Sequence, residues 1–93
     1  MTDIDLIKIT DACPEQWEAR QGDRIVGYLR VRFSRFTVQC PDVGGECVYE
    51  STIGDSGWDG CFNGAKQRSE QLAAALVCIN DWVKENGSQI RNV

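Results

Sequence analysis

Nine residues decide how this chain folds: residues 25–33 read IVGYLRVRF. One side of this segment is apolar at every second position: Ile25, Gly27, Leu29, Val31 and Phe33. A period of two is typical of a strand with one buried face. The alternation therefore predicts that the other set, Val26, Tyr28, Arg30 and Arg32, points away from the core.

Weaker strand patterns flank this segment on both sides. Alternating or β-prone stretches occur at residues 3–9, 16–21, 36–40 and 47–51. Ser34 and Arg35 separate residues 25–33 from the next run, which favours a tight hairpin there although neither residue is Asn or Gly. Consecutive strands joined by short turns are typical of an antiparallel meander.

A helix is predicted over residues 65–86. Leu72, Leu76, Ile79 and Val83 recur at helical spacing and make a buried stripe. Asn63 or Ser69 is a candidate cap, and Gly87 fits as the stop. The chain is thus expected to be a single α+β domain, residues 1–93, with four to five short antiparallel strands packed on one C-terminal α-helix. Residues 1–12 hold a weak N-terminal strand, and residues 88–93 a flexible tail.

The charge is segregated along the chain. The formal net charge is −4 for 93 residues, which disfavours non-specific binding to DNA or to membranes. Five arginines crowd residues 20–35, whereas residues 36–65 have no Lys or Arg. Two interpretations stay open: ordinary pairing of charges across strands, or an arginine-lined surface for an anionic ligand.

The five cysteines are an odd number, and the N-terminus lacks the pattern of an export signal. They are therefore expected to be reduced thiols in a cytosol. Two alternatives remain: a zinc site formed by Cys13, Cys40, Cys47 and Cys61, or a disulfide between Cys40 and Cys47. The spacing is longer than in usual zinc knuckles, so no metal is expected.

The chain contains no histidine, the residue most used as a general base and as a metal ligand. Phosphate-loop, dinucleotide-binding and C-x-x-C motifs are also missing from it. We therefore expect no catalytic residues and no cofactor. The remaining enzymatic alternative is a Mg²⁺-dependent nuclease that uses the acidic side chains Glu46, Glu50, Asp55 and Asp59.

Residues 54–64 form the longest irregular stretch and are rich in glycine, which marks them as a candidate functional loop. Trp58 has two interpretations: a lid over a small core, or an exposed anchor for a partner. The candidate binding residues come from the arginine-rich segment and from this loop. They are Tyr28, Arg30, Arg32, Arg35, Asp55, Trp58 and Asp59.

One resemblance adds to this. A PEQ motif before Trp17 leads to VGYLR at residues 26–30, and GGE at 44–46 leads to VYE at 48–50. This succession resembles small phage and prophage proteins of unknown function, although residues 54–62 are longer than the corresponding loop. The resemblance implies an accessory or counter-defence role in the cytosol of a host cell.

Three functional hypotheses follow. The first is a non-enzymatic, phage-derived protein that inhibits a host protein such as a defence component. The second is a module that sequesters an anionic nucleotide signal, with Arg30 and Arg32 on the phosphate and Tyr28 or Trp58 on the base. The third is the nuclease. A homodimer stays open as well, because a pocket in so small a domain would form between subunits.

Overall fold

The computed structural model describes residues 4–90, with side chains through Asn86. Five strands precede one helix: β1 (Asp5–Lys8), β2 (Gln16–Gln21), β3 (Arg24–Arg32), β4 (Arg35–Cys40), β5 (Glu46–Thr52) and α1 (Ala65–Ile90). The strands form one antiparallel sheet in the order β1-β2-β3-β4-β5. The predicted α+β class and the meander are confirmed. The first three residues of the predicted N-terminal segment 1–12, and the last three of the tail 88–93, lie outside the described residues.

The core lies between the sheet and α1. Leu29 and Val31 on β3 are fully buried, and Ala75 and Ile79 on α1 pack in the same cluster. Phe36, Val38 and Cys40 on β4 complete its centre. On the opposite face of β3, Tyr28 and Arg30 are half-buried and Arg32 is exposed. The alternation of residues 28–32 is therefore as the sequence predicts.

Gly27 brings the helix close to the sheet. A Cβ atom at this position would lie 3.1 Å from Ile79 Cδ1 and 3.2 Å from Ala19 Cβ. Glycine at residue 27 thus lets Ile79 pack directly on the backbone of β3.

The alternation fails at the start of β3. Ile25 was predicted to face the core and Val26 the opposite side, yet Val26 is fully buried and Ile25 only half-buried. Gly27 is opposite Ala19 but Ile25 is opposite Arg20, so the register shifts and Val26 is the extra residue of a β-bulge. A bulge breaks the regular alternation, and Val26 joins the core there.

The β3–β4 hairpin turns one residue earlier than predicted. The turn consists of Phe33 and Ser34, not Ser34 and Arg35, and β4 already begins at Arg35. Phe33, predicted to lie in the core, is 56% exposed. Positive φ angles at both turn residues, 55° and 60°, lift the Phe33 side chain out of the strand pleat.

The helix predicted over residues 65–86 is confirmed. A kink at Asn86 separates it from a further helical turn that reaches Ile90, so residues 88–90, predicted to belong to a flexible tail, are helical. The backbone is non-helical at Asn86, one residue before the predicted stop, where the Asn86 side-chain amide donates to the Trp82 carbonyl at 3.0 Å. A single glycine without a following proline lowers helix propensity but does not block a helix.

Candidate recognition surface

The turn at Phe33 and Ser34 is a two-residue hairpin with positive φ at both positions. This geometry is that of a type I′ turn, which normally takes Asn or Gly. Phe33 is therefore a bulky residue in a backbone conformation that favours small ones, and 56% of it is exposed.

Ser34 docks the glycine-rich loop on this turn. Its buried hydroxyl accepts hydrogen bonds from the backbone N–H groups of Gly57 at 3.0 Å and Asp59 at 3.1 Å, and donates to Asp59 Oδ2 at 2.9 Å. Its own N–H donates to the Asp59 carbonyl at 2.8 Å, and its carbonyl accepts from Ile53 N–H at 2.9 Å. One serine thus fixes the loop against the hairpin.

Trp58 is carried at the outer edge of that loop. Its side chain is 80% exposed, so its interpretation as a lid over the core is wrong. The indole contacts the Phe33 ring edge-on, with centroids 6.3 Å apart and planes at 75°. Two exposed aromatic rings from different segments therefore meet at the tip of the hairpin.

A disulfide joins Cys13 to Cys61 on the other side of the loop. The prediction that all five cysteines are reduced thiols is wrong for these two, because the fold brings residues 48 positions apart in the sequence into contact. It also removes Cys13 and Cys61 from the zinc alternative, while Cys40 and Cys47 are free, not paired with each other. Disulfides are typical of oxidising compartments, so the cysteines no longer argue for a cytosol.

Glu15, two residues after Cys13, anchors the base of the loop. Its N–H donates to the Gly60 carbonyl, and its fully buried carboxylate accepts from Arg68, from Trp17 Nε1 at 2.8 Å and from Phe62 N–H at 3.3 Å. Burial alone would raise the pKa of Glu15, but the hydrogen bonds from Arg68, Trp17 and Phe62 outweigh it and lower that pKa. The carboxylate is therefore a charged structural group.

Three arginines surround a shallow hollow on the open face of the sheet. Its volume is about 310 Å³, and it is lined by Arg30, Arg32, Phe33, Arg35 and Thr37. Arg35 Nη1 is 2.7 Å from Glu50 Oε2, as cross-strand charge pairing predicts. Arg30 and Arg32 form no ion pair within residues 4–86. The guanidinium carbon of Arg30 lies 5.9 Å from the centroid of the Tyr28 ring, and that of Arg32 lies 4.8 Å from the centroid of the Phe33 ring.

A second hollow, also of about 310 Å³, adjoins the first. It is lined by Cys13, Pro14, Arg32, Phe33, Trp58 and Gly60. Arg32 and Phe33 line both hollows, so the two form a continuous surface. We call Arg30, Arg32, Phe33, Arg35 and Trp58 together the hairpin-tip surface.

The predicted binding residues divide into three groups. Arg30, Arg32, Arg35 and Trp58 lie on the hairpin-tip surface. Tyr28 lies next to Arg30, whose guanidinium carbon is 5.9 Å from its ring centroid, and its hydroxyl donates to Gln16 Oε1 at 2.7 Å. The Asp59 carboxylate accepts a hydrogen bond from the Ser34 hydroxyl. Asp55 is an exposed loop residue. Phe33 and Ser34 were missed, because the turn carries neither Asn nor Gly and its position could not be read from the sequence.

The acidic residues of the nuclease hypothesis are not brought together. Glu50 binds Arg35, Asp59 binds Ser34, and Glu46 accepts from Trp82 Nε1 at 3.2 Å. In the described part of the chain, no three Cys, Asp or Glu side chains form a group able to hold a metal ion.

Comparison with protein-family models, with curated proteins and with solved structures gives no match to this chain. Over residues 4–90, no helix has both the length and the apolar character needed to cross a membrane.

Proposed function

We propose that this chain is a non-enzymatic binding protein, and that its hairpin-tip surface docks on an acidic patch of another protein. Following the resemblance to phage proteins, we propose that the partner is a host protein such as a defence component, and that binding inhibits it.

Phe33 is the observation that carries this proposal. The left-handed backbone conformation costs about 1–2 kcal/mol for a residue with a Cβ atom, and Asn or Gly would largely avoid that cost. The Phe33 ring contacts Trp58 and Arg32 at the surface, not the core cluster, and 56% of the residue is exposed. Strain at an exposed residue is a reason to infer a role outside folding.

The composition of the surface supports a protein partner. Tryptophan and arginine are enriched among the residues that contribute most to protein–protein affinity. Arg30 and Arg32 lack a carboxylate partner within the described side chains. An acidic patch on the bound protein would supply carboxylates for ion pairs with them. Trp58 is 80% exposed, so most of its surface is available to be buried when a partner binds.

The surface is also held in place before binding. Ser34 fixes the loop from one side, and the Cys13–Cys61 disulfide fixes it from the other. Because few degrees of freedom remain to be ordered, less conformational entropy is lost when a partner binds.

Quantitative affinity capture from a bacterial host lysate tests the proposal. The bait proteins are the unaltered chain, the double variant Phe33→Asn/Trp58→Ser, and the matched control Val43→Ser/Val77→Ser. The control removes two apolar side chains that are 63% and 62% exposed and lie outside the hairpin-tip surface.

We expect the unaltered chain and the control to capture at least one acidic protein. The captured amount of that protein should be about tenfold lower, or lower still, with the double variant. Adding salt should weaken its capture. Equal capture by all three baits would contradict the proposal. Thermal unfolding of each bait checks that it is folded.

A further inference from the structure

The arginine-lined hollow carries more positive charge than its own surroundings neutralise. Three guanidinium groups line it, and Arg35–Glu50 is the only ion pair that they make among the described side chains. The chain as a whole has a net charge of −4, so this positive charge is local and does not follow from a basic composition.

The register places two of these arginines directly opposite each other. Arg32 on β3 faces Arg35 on β4 next to the turn. Like charges directly opposite each other destabilise a sheet. A bound anion would remove that repulsion, and Thr37, which also lines the hollow, adds a hydroxyl that can donate to it.

The adjoining hollow offers a different chemistry. Its lining includes the exposed rings of Phe33 and Trp58, and the 80% exposed Trp58 can stack on a planar heterocycle. Arg32 belongs to both hollows, so one molecule with an anionic end and a flat aromatic end can occupy the two together.

We propose that the hairpin-tip surface binds a nucleoside phosphate, with the phosphates in the hollow of Arg30, Arg32 and Arg35 and the base against Trp58. One arginine guanidinium can donate two parallel hydrogen bonds to phosphate oxygens. The base would be recognised by its ring face rather than by its edge. This inference does not depend on a protein partner, and such a ligand would compete with one for the same side chains.

Thermal shift with three probes tests the inference. Adenosine triphosphate supplies both ends, tripolyphosphate supplies only the anion, and adenosine supplies only the ring. At about ten times its Kd, a single-site ligand raises the Tm of a domain of this size by about 5–10 °C. We expect such a rise with adenosine triphosphate at millimolar concentration, and a clearly smaller one with tripolyphosphate or adenosine.

Variants locate the site, with titration of intrinsic tryptophan fluorescence as a second measurement. Arg32→Gln and Trp58→Ala should each weaken binding of adenosine triphosphate by about tenfold or more. Arg24→Gln, which alters the same strand at its other end, should leave binding unchanged.

No response to adenosine triphosphate in either measurement would overturn the inference, as would binding that survives both Arg32→Gln and Trp58→Ala. An equal response to tripolyphosphate would overturn the stacking of the base. A failure here is separable from a failure of protein binding, because lysate capture requires no nucleotide.

Discussion

Arg68, in the first turns of α1, donates two hydrogen bonds to the carboxylate of Glu15, 53 residues earlier in the chain. The Nε–Oε2 distance is 2.8 Å and the Nη2–Oε1 distance is 3.1 Å. Glu15 is fully buried, and it also holds the backbone of Phe62 and Gly60. This ion pair therefore joins the helix, the entry to β2 and the base of the loop that carries Trp58.

Replacing Arg68 with methionine should cost about 3 kcal/mol of unfolding free energy. The substitution keeps an apolar chain of similar length but leaves a buried carboxylate without its cation, which typically costs 3–5 kcal/mol. We take the lower end of that range because 32% of the Arg68 side chain is exposed. Urea denaturation measures the difference.

The matched control is Arg20→Met, which breaks the more exposed pair between Arg20 and Glu18. It should cost less than about 1 kcal/mol. Equal losses for the two variants would contradict the structural role assigned to Arg68.

The stabilisation from Glu15 should disappear in acid. Its pKa is lowered in the folded protein, so the unfolded chain takes up a proton first as the pH falls. The stabilisation is complete above the unfolded pKa, about 4.3, and is lost as the pH falls through the lower folded value.

The difference in unfolding free energy between the unaltered chain and Glu15→Gln, measured from pH 7 to pH 3, should therefore shrink below about pH 5. A difference independent of pH would refute the charged state of Glu15.

The cysteines should separate into four classes of reactivity towards iodoacetamide at pH 8. Exposed Cys47 reacts first and half-buried Cys78 more slowly. Buried Cys40 reacts only on unfolding, because burial, with Glu46 and Cys78 nearby, raises its pKa to about 12. Cys13 and Cys61 react only after a reductant is added. Mass spectrometry assigns the sites, and early labelling of Cys13 or Cys61 would contradict the disulfide.

Ser34→Ala should destabilise the protein by about 1–2 kcal/mol, because the N–H groups of Gly57 and Asp59 lose their acceptor in a partly buried setting. Chemical denaturation measures the loss. Ser69→Ala, on the exposed surface of α1, is the matched control and should change stability by less than about 0.5 kcal/mol. A neutral result for Ser34→Ala would mean that the loop is not held through this hydroxyl.

The sheet and the helix could be predicted because their signals are periodic and local. Leu29 and Val31 alternate with Tyr28 and Arg30, and the helix stripe includes the buried Ile79. The prediction failed where the backbone departs from regular geometry. A bulge at Val26 and a positive φ at Phe33 each change which side of the sheet a residue occupies, and neither leaves a mark in the residue types.

The candidate site could be predicted only in part, for a related reason. Arg30 and Arg32 follow from the alternation of one strand. The partners that complete the surface come from distant segments: Ser34 holds Asp59, Cys13 bonds Cys61, and Glu15 binds Arg68. Such long-range pairings depend on how the loop folds back on the hairpin, and sequence spacing does not specify that.

The claim that Phe33 serves recognition rather than folding has a direct test in the unfolding free energy of Phe33→Asn, measured by urea denaturation. Asparagine suits the positive φ of this turn, and it gives up only the surface contacts of the Phe33 ring with Trp58 and Arg32. We predict unchanged stability or a gain of up to about 1 kcal/mol. A loss of about 1 kcal/mol or more would show that the fold itself requires Phe33, and would contradict the account.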